Sequence, residues 1–204
     1  NASLGTTEWT LKNGIKVVIK QTPYQADNIG VEAVADGGAA LFGDDMYYSA
    51  QMLGSVMSMS GISKFSASDL RKQLSGKQAQ AGAGVGTYEH MVTANASLKD
   101  VETMFQLLYL QFTAPRFSED DFTTLMNRYN SSLANQASNP DFIFSQNVQK
   151  TLYGDNYRRQ QLTTELLQSI KLEHMPAIHK RLYSNAADFR FTFIGNMSEE
   201  QLKP

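Results

Sequence analysis

The chain has 204 residues, 42% of them hydrophobic, enough for one sizeable core without covalent staples. It contains no cysteine, which rules out disulfides, thiolate metal sites and cysteine nucleophiles. The 18 basic and 20 acidic residues leave a net charge of -2. They are scattered, so no basic block marks a nucleic-acid or anionic-membrane partner.

No apolar run approaches the roughly 20 residues that span a bilayer. Asn1-Ala2-Ser3-Leu4-Gly5 shows no basic segment followed by an apolar stretch, so no signal peptide is read there. A strand pattern close behind it, and a helix start at Ser198-Glu199-Glu200 close to Lys203-Pro204, predict a piece of a longer protein. On that reading Asn1-Ala2 is a cloning remnant, and the compartment is not legible.

In chain order, Glu8–Leu11 and Ile15–Lys20 flank Lys12-Asn13-Gly14, and an Asn-Gly pair between β-type runs predicts a hairpin. Ile29–Ala35 reads as a third strand, closed by Asp36-Gly37-Gly38. A helix follows over 45–59, with Asp44 or Asp45 placed to cap it and Gly61 to stop it. Tyr48, Met52, Val56 and Met59 are the side chains expected to pack this helix on the sheet, near Phe105, Leu108 and Phe193. Ser66-Ala67-Ser68-Asp69 opens a short helix to about Leu74.

Gln78–Val85 and Tyr88–Ala96 read as two more strands, the first small and Gly-rich. Helices are then predicted over 101–112, capped by Asp100, over 119–136, and over 142–152 after Asn139-Pro140-Asp141. Thr164 is placed to cap a short helix to Ser169, another helix brackets Pro176–Tyr183, and Phe189–Ile194 is the last strand. Clustered rather than alternating elements predict an α+β fold: one domain, 1–204, with a roughly six-stranded, mostly antiparallel sheet covered by helices.

The chemistry in this pattern is sparse. His174 and His179 stand five apart on a helical stretch, about 500° of rotation, and so do not converge on a metal. His90 follows Glu89 on a strand, where neighbours point to opposite faces. All three are read as structural histidines, on the surface or partly buried. Gly82-Ala83-Gly84-Val85-Gly86 lacks the Gly-Lys-Ser/Thr ending of a phosphate loop and lies between two strands, so its small residues are read as letting another backbone approach. Glu119-Asp120-Asp121 reads as first-turn carboxylates on a helix N-terminus.

Several stretches, in order, resemble the insulinase/pitrilysin family of zinc peptidases. They are Trp9-Thr10-Leu11-Lys12-Asn13-Gly14-Ile15-Lys16-Val17-Val18, Gly37-Gly38, Ser60-Gly61, Asp69-Leu70 and Leu74-Ser75-Gly76-Lys77. Asp100 to Gln111 follows, then Phe112-Thr113-Ala114-Pro115-Arg116-Phe117, Asn139-Pro140 and Phe193-Ile194-Gly195-Asn196. The resemblance implies the mitochondrial-processing-peptidase-like metallohydrolase fold.

Active members of that family carry His-x-x-Glu-His on the helix after the Gly-Gly strand. Counted from Gly37-Gly38, the motif falls on Tyr47-Tyr48-Ser49-Ala50-Gln51, so Tyr47 and Gln51 replace the zinc-binding histidines and Ala50 the base. The further glutamate ligand would fall near residues 127–133, yet no glutamate lies between Glu119 and Glu165. What the resemblance implies is a non-catalytic domain, the third of four in a bacterial chain. Zinc then belongs to the catalytic domain of the parent and none to this piece.

Its partners would be the other domains of that chain and the peptide substrate enclosed between them, in a location that the resemblance suggests is the periplasm. By the same resemblance, Ala79, Ala81 and Ala83 lie on the strand whose edge receives peptide as an added strand; the other reading of this strand is that it lies inside the sheet, paired on both sides, its glycines accommodating a helix. The alternative is an inert scaffold domain of a hetero-oligomer, as in the core subunits of respiratory complexes.

Overall fold

The computed structural model describes residues 3–198 and residue 202. The helix start expected at Ser198-Glu199-Glu200 and the remnant at Asn1-Ala2 lie outside the described residues, apart from Ser198 itself. Among the described residues, six strands form one sheet: β1 (Thr7–Thr10), β2 (Lys16–Gln21), β3 (Ile29–Asp36), β4 (Ala79–Val85), β5 (Glu89–Ala96) and β6 (Arg190–Gly195). The α-helices are α1 (Asp44–Ser60), α2 (Ala67–Gln73), α3 (Val101–Thr113), α4 (Glu119–Gln136), α5 (Pro140–Tyr153), α6 (Thr164–Gln168) and α7 (Met175–Tyr183).

The sheet order is β1-β2-β6-β3-β5-β4, and only β2 and β6 run parallel. Between that pair the chain passes through β3, β4, β5 and all seven of these helices, well beyond the dozen residues that parallel neighbours require. The expected α+β class and mostly antiparallel sheet are what the chain forms.

One face of the sheet carries the core. On β3, Ile29, Val31, Ala33 and Ala35 are buried while Glu32 and Asp36 are exposed. Register carries the same face across the sheet: Ala33 lies opposite Val92 of β5 and Phe191 of β6. Helices α1, α3 and α7 pack on it. The ring of Phe105 lies 5.8 Å from that of Phe193, and Phe112 meets Phe189 edge to face at 5.0 Å. The first hairpin turns at Gly14, whose φ of +88° suits glycine, and Gly61 ends α1 with φ +94°.

Several boundaries differ from the expectation, each for a local reason. Neither Asp44 nor Asp45 caps α1: Gly43 holds the cap position and both carboxylates sit in the first turn, where the helix dipole favours them. Asp100 stands at the cap position of α3, but its carboxylate accepts from the Gln78 amide at 2.8 Å and the Ser97 hydroxyl at 2.9 Å instead. Thr163, not Thr164, caps α6 through the Leu166 amide. Helix α5 begins at Pro140 because proline suits the first helical position, with Asn139 as its cap.

The buried stripe of α1 is also wider than four side chains. Ser49, Leu53, Val56 and Ser60 form its centre, flanked by Ala50 and Met57. Tyr48, Met52 and Val56 are buried as expected, the Tyr48 hydroxyl also reaching the Tyr157 carbonyl, whereas Met59 lies beside Arg128 of α4. Helix α1 is sandwiched between the sheet and α4, so two of its faces are covered.

Candidate functional site

Tyr47 to Gln51, the stretch on which the resemblance sets the zinc motif, lies in the first half of α1. Spacing of four places Tyr47 and Gln51 on one face, and the Gln51 amide donates to the Tyr47 hydroxyl at 3.2 Å. The guanidinium of Arg158 covers the Tyr47 ring, 4.9 Å from its centroid. Arg158 is fixed in turn by Asp44, to which its Nε donates at 2.7 Å, and by the Phe42 carbonyl at 2.8 Å. Tyr47 is 1% exposed and Ala50 0%. The neighbouring Tyr48 hydroxyl donates to the Tyr157 carbonyl at 2.6 Å, and burial pushes its pKa up to about 12, so it stays neutral.

A zinc ion does not fit these positions. They offer a phenol, a methyl group and a carboxamide, where a catalytic site needs imidazole and carboxylate donors. The facing stretch of α4, residues 127–133, adds Asn127, Arg128, Tyr129, Asn130, Ser131, Ser132 and Leu133, none of them acidic. Among the described residues no three His, Cys, Asp or Glu side chains gather around a common point.

The histidines serve the core. His90 is buried, with its Nε2 donating to the Leu182 carbonyl at 2.8 Å, while Nδ1 accepts from the Gly38 amide at 3.4 Å. His179, likewise buried, donates from Nε2 to the Gln111 carbonyl at 2.8 Å. Both lie deeper than the surface or half-buried positions expected, because a main-chain carbonyl meets each ring. His174 Nδ1 lies 3.1 Å from the Ser49 hydroxyl, but Ser49 is fully buried and also accepts from the Lys171 amide, so this pair meets no substrate.

Beside Gln51 the surface opens into a trough between α1, α2 and β4. One hollow, of about 660 Å³, is lined by Gln51, Ser55, Ala83, Leu125 and Tyr129 among others. A second, of about 560 Å³, continues it along β4 past Met57, Leu70, Leu74, Ala81 and Gln111. The two share Gly54 and Ser58 of α1, Ala67 and Arg71 of α2, and Ala83 and Gly84 of β4.

Among the described residues, strand β4 is the last in the sheet and pairs only with β5. The bonds Ser97 N–H to Gln78 O and Gly86 N–H to Glu89 O, at 2.9 and 2.8 Å, fix the phase of that ladder. Even-numbered residues of β4 therefore bond β5, and Ala79, Ala81, Ala83 and Val85 turn their main-chain groups outward. The Ala81 carbonyl accepts from the Gln111 side chain at 3.2 Å. A side chain at position 54 would collide with the Ala83 carbonyl, so glycine there lets α1 lie directly against the edge.

Gln51 and Ala83 are thus brought into one hollow, and Ala81 and Ala83 into the other. Tyr47 and Ala50 lie beneath the surface, and the half-buried Ala79 lies beyond both hollows. Sequence reasoning missed Arg71, Gln111 and Arg158. Arg71 had a signal, as an arginine in the short helix beside the Gly-rich strand; Arg158 lies 111 residues from Tyr47 and had none.

No family model matches the chain. The probable zinc protease PqqL of Escherichia coli is 23% identical over 201 residues, covering 96% of this chain and 21% of that protein. The crystal structure of that periplasmic protease superposes with a TM-score of 0.81 at 22% identity, over 97% of this chain and 22% of its own. The M16 peptidase inactive domain from Pseudomonas fluorescens gives 0.79 at 17% identity, over 97% and 48%. The ferredoxin protease FusC, in complex with Arabidopsis ferredoxin, gives 0.76 at 18%, over 98% and 22%. The chain spans about a fifth of the length of PqqL. It has the fold of the M16 peptidase domains and resembles a non-catalytic domain of the insulinase/pitrilysin family.

Proposed function

We propose that residues 1–204 are one non-catalytic domain of a longer zinc metalloendopeptidase of the insulinase/pitrilysin type. It helps to wall a peptide chamber and supports the active half of the parent, whose catalytic domain holds the zinc. Its partners are the other domains of the parent chain and, in the closed state, extended peptide lying along the edge of β4. A periplasmic location accords with the periplasmic protease PqqL, with which it shares its fold.

The observation that carries this reading is the hydrogen-bonded Tyr47–Gln51 pair under Arg158. Its groups bind one another where zinc-binding histidines would stand, and Ala50 supplies no base. The test is a cleavage assay of the 204-residue chain on unfolded protein and peptide libraries, with and without added zinc. No cleavage is expected under either condition. Zinc-dependent cleavage that disappears in Gln51→Leu would overturn the reading.

The second reading, an inert scaffold domain in a hetero-oligomer, rests on one feature. Phe144, Val148 and Leu152, four residues apart on α5, are all exposed and form an apolar stripe. The parent gene separates the two: an upstream His-x-x-Glu-His supports the peptidase, and its absence the scaffold.

A further inference from the structure

The trough is almost without charge. Gly54, Ser58, Met57, Leu70 and the small residues of β4 make up most of its walls, and among the described residues no Asp or Glu lines either hollow. The exception is Arg71, which lines both and stands where they join. Among the described residues Arg71 forms no ion pair, while the carboxylate nearest to it in the sequence, Asp69, pairs with Lys72 at 3.5 Å and accepts from the Ser66 hydroxyl at 2.7 Å.

A cation without a counter-ion, at the midpoint of a neutral groove beside outward-turned strand amides, presents a fixed fork of donors to one planar acceptor. The hydrocarbon walls on either side, Met57, Leu70 and Leu74 in one hollow and Met59 and Leu125 in the other, suit apolar neighbours of that acceptor.

We propose that this trough binds an extended peptide segment bearing a carboxylate flanked by apolar residues, and that Arg71 is the residue selecting it. The proposal rests on the peptide-chamber reading and adds a specificity to it. Gln111 contributes to the register: its side chain fills the Ala81 carbonyl, so an added strand meets the donors of β4 there more readily than that acceptor.

The experiment uses fluorescence anisotropy at low ionic strength. The probe is a labelled nonapeptide of Val, Thr and Ser, blocked at both ends, with Asp, Asn or Lys at its centre. The Asp peptide is expected to bind about three- to tenfold tighter than the Asn peptide, the range of an exposed to partly desolvated charged contact. That advantage disappears in Arg71→Gln, turns toward the Lys peptide in Arg71→Glu, shrinks with salt, and survives in Arg181→Gln, an exposed arginine outside the trough.

Arg71 is exposed, so these variants keep the fold, and far-ultraviolet circular dichroism checks it. Equal binding of the Asp and Asn peptides, unaffected by Arg71, overturns the selectivity while leaving peptide binding intact. Binding of none of the peptides overturns both the selectivity and the peptide-handling part of the proposed function.

Discussion

Helices α1 and α5 are both rich in apolar side chains, yet the fold treats them in opposite ways. Of the 17 residues of α1, nine are buried, because the helix lies between the sheet and α4. Of the 14 residues of α5 none is buried, and Phe144 and Leu152 stand 69% and 67% exposed. Periodicity reports that a helix forms; it does not report what, if anything, covers it. The stability of this chain resides in the sheet and its first helical layer, and α5 offers surface.

Substitutions break or sharpen that contrast in graded steps. Leu53 is fully buried in α1, and Leu53→Ala is expected to cost about 2–5 kcal/mol through lost burial and an unfilled cavity, read as a lower urea midpoint at unchanged slope. A loss below about 1 kcal/mol would mean that α1 is not seated on the sheet.

Gly54→Val probes the same contact from the opposite side. A side chain there meets the Ala83 carbonyl, which belongs to the main chain and yields little, so overpacking costs about 1–3 kcal/mol. An unchanged thermal midpoint would show that α1 stands off β4.

The two core histidines give a pH signature. Burial holds His90 and His179 below the usual histidine range, against the weaker opposing effect of their carbonyl partners. The unfolded chain therefore takes up protons first as the pH falls. Stability is fully present above about pH 6.5 and declines below it, by up to about 1.4 kcal/mol per pH unit for each histidine. Urea unfolding between pH 7.5 and 5.5 isolates this window from the carboxylates, whose transitions lie lower. A flat profile would contradict the buried, neutral assignment. At the small end, Leu152→Ala on α5 is expected to change stability by no more than about 0.5 kcal/mol. A loss above 1 kcal/mol would show that α5 packs on the body of the chain.

Much of the fold was legible because local rules and tertiary packing agree. Lys12-Asn13-Gly14 turns a hairpin, the alternation of 29–35 marks a strand with one buried face, and Gly61 ends α1. What was not legible came from contacts distant in sequence. Arg158 closes over Tyr47 from 111 residues away. Asp100 gives up a capping role because the Gln78 amide reaches it. His90 and His179 look like surface residues until the carbonyls of Leu182 and Gln111 are set beside them. The reading of Tyr47, Ala50 and Gln51 as replaced motif positions comes from the ordered family resemblance alone, whereas the bond between the Tyr47 phenol and the Gln51 amide is visible only in three dimensions.

That consequence is most directly tested by zinc stoichiometry. Tag-free 204-residue protein, stripped with chelator and re-equilibrated with zinc, is expected to retain far less than one zinc per chain by metal analysis, with no difference between the natural sequence and Gln51→Ala. About one tightly held zinc per chain, lost in Gln51→Ala, would contradict the account.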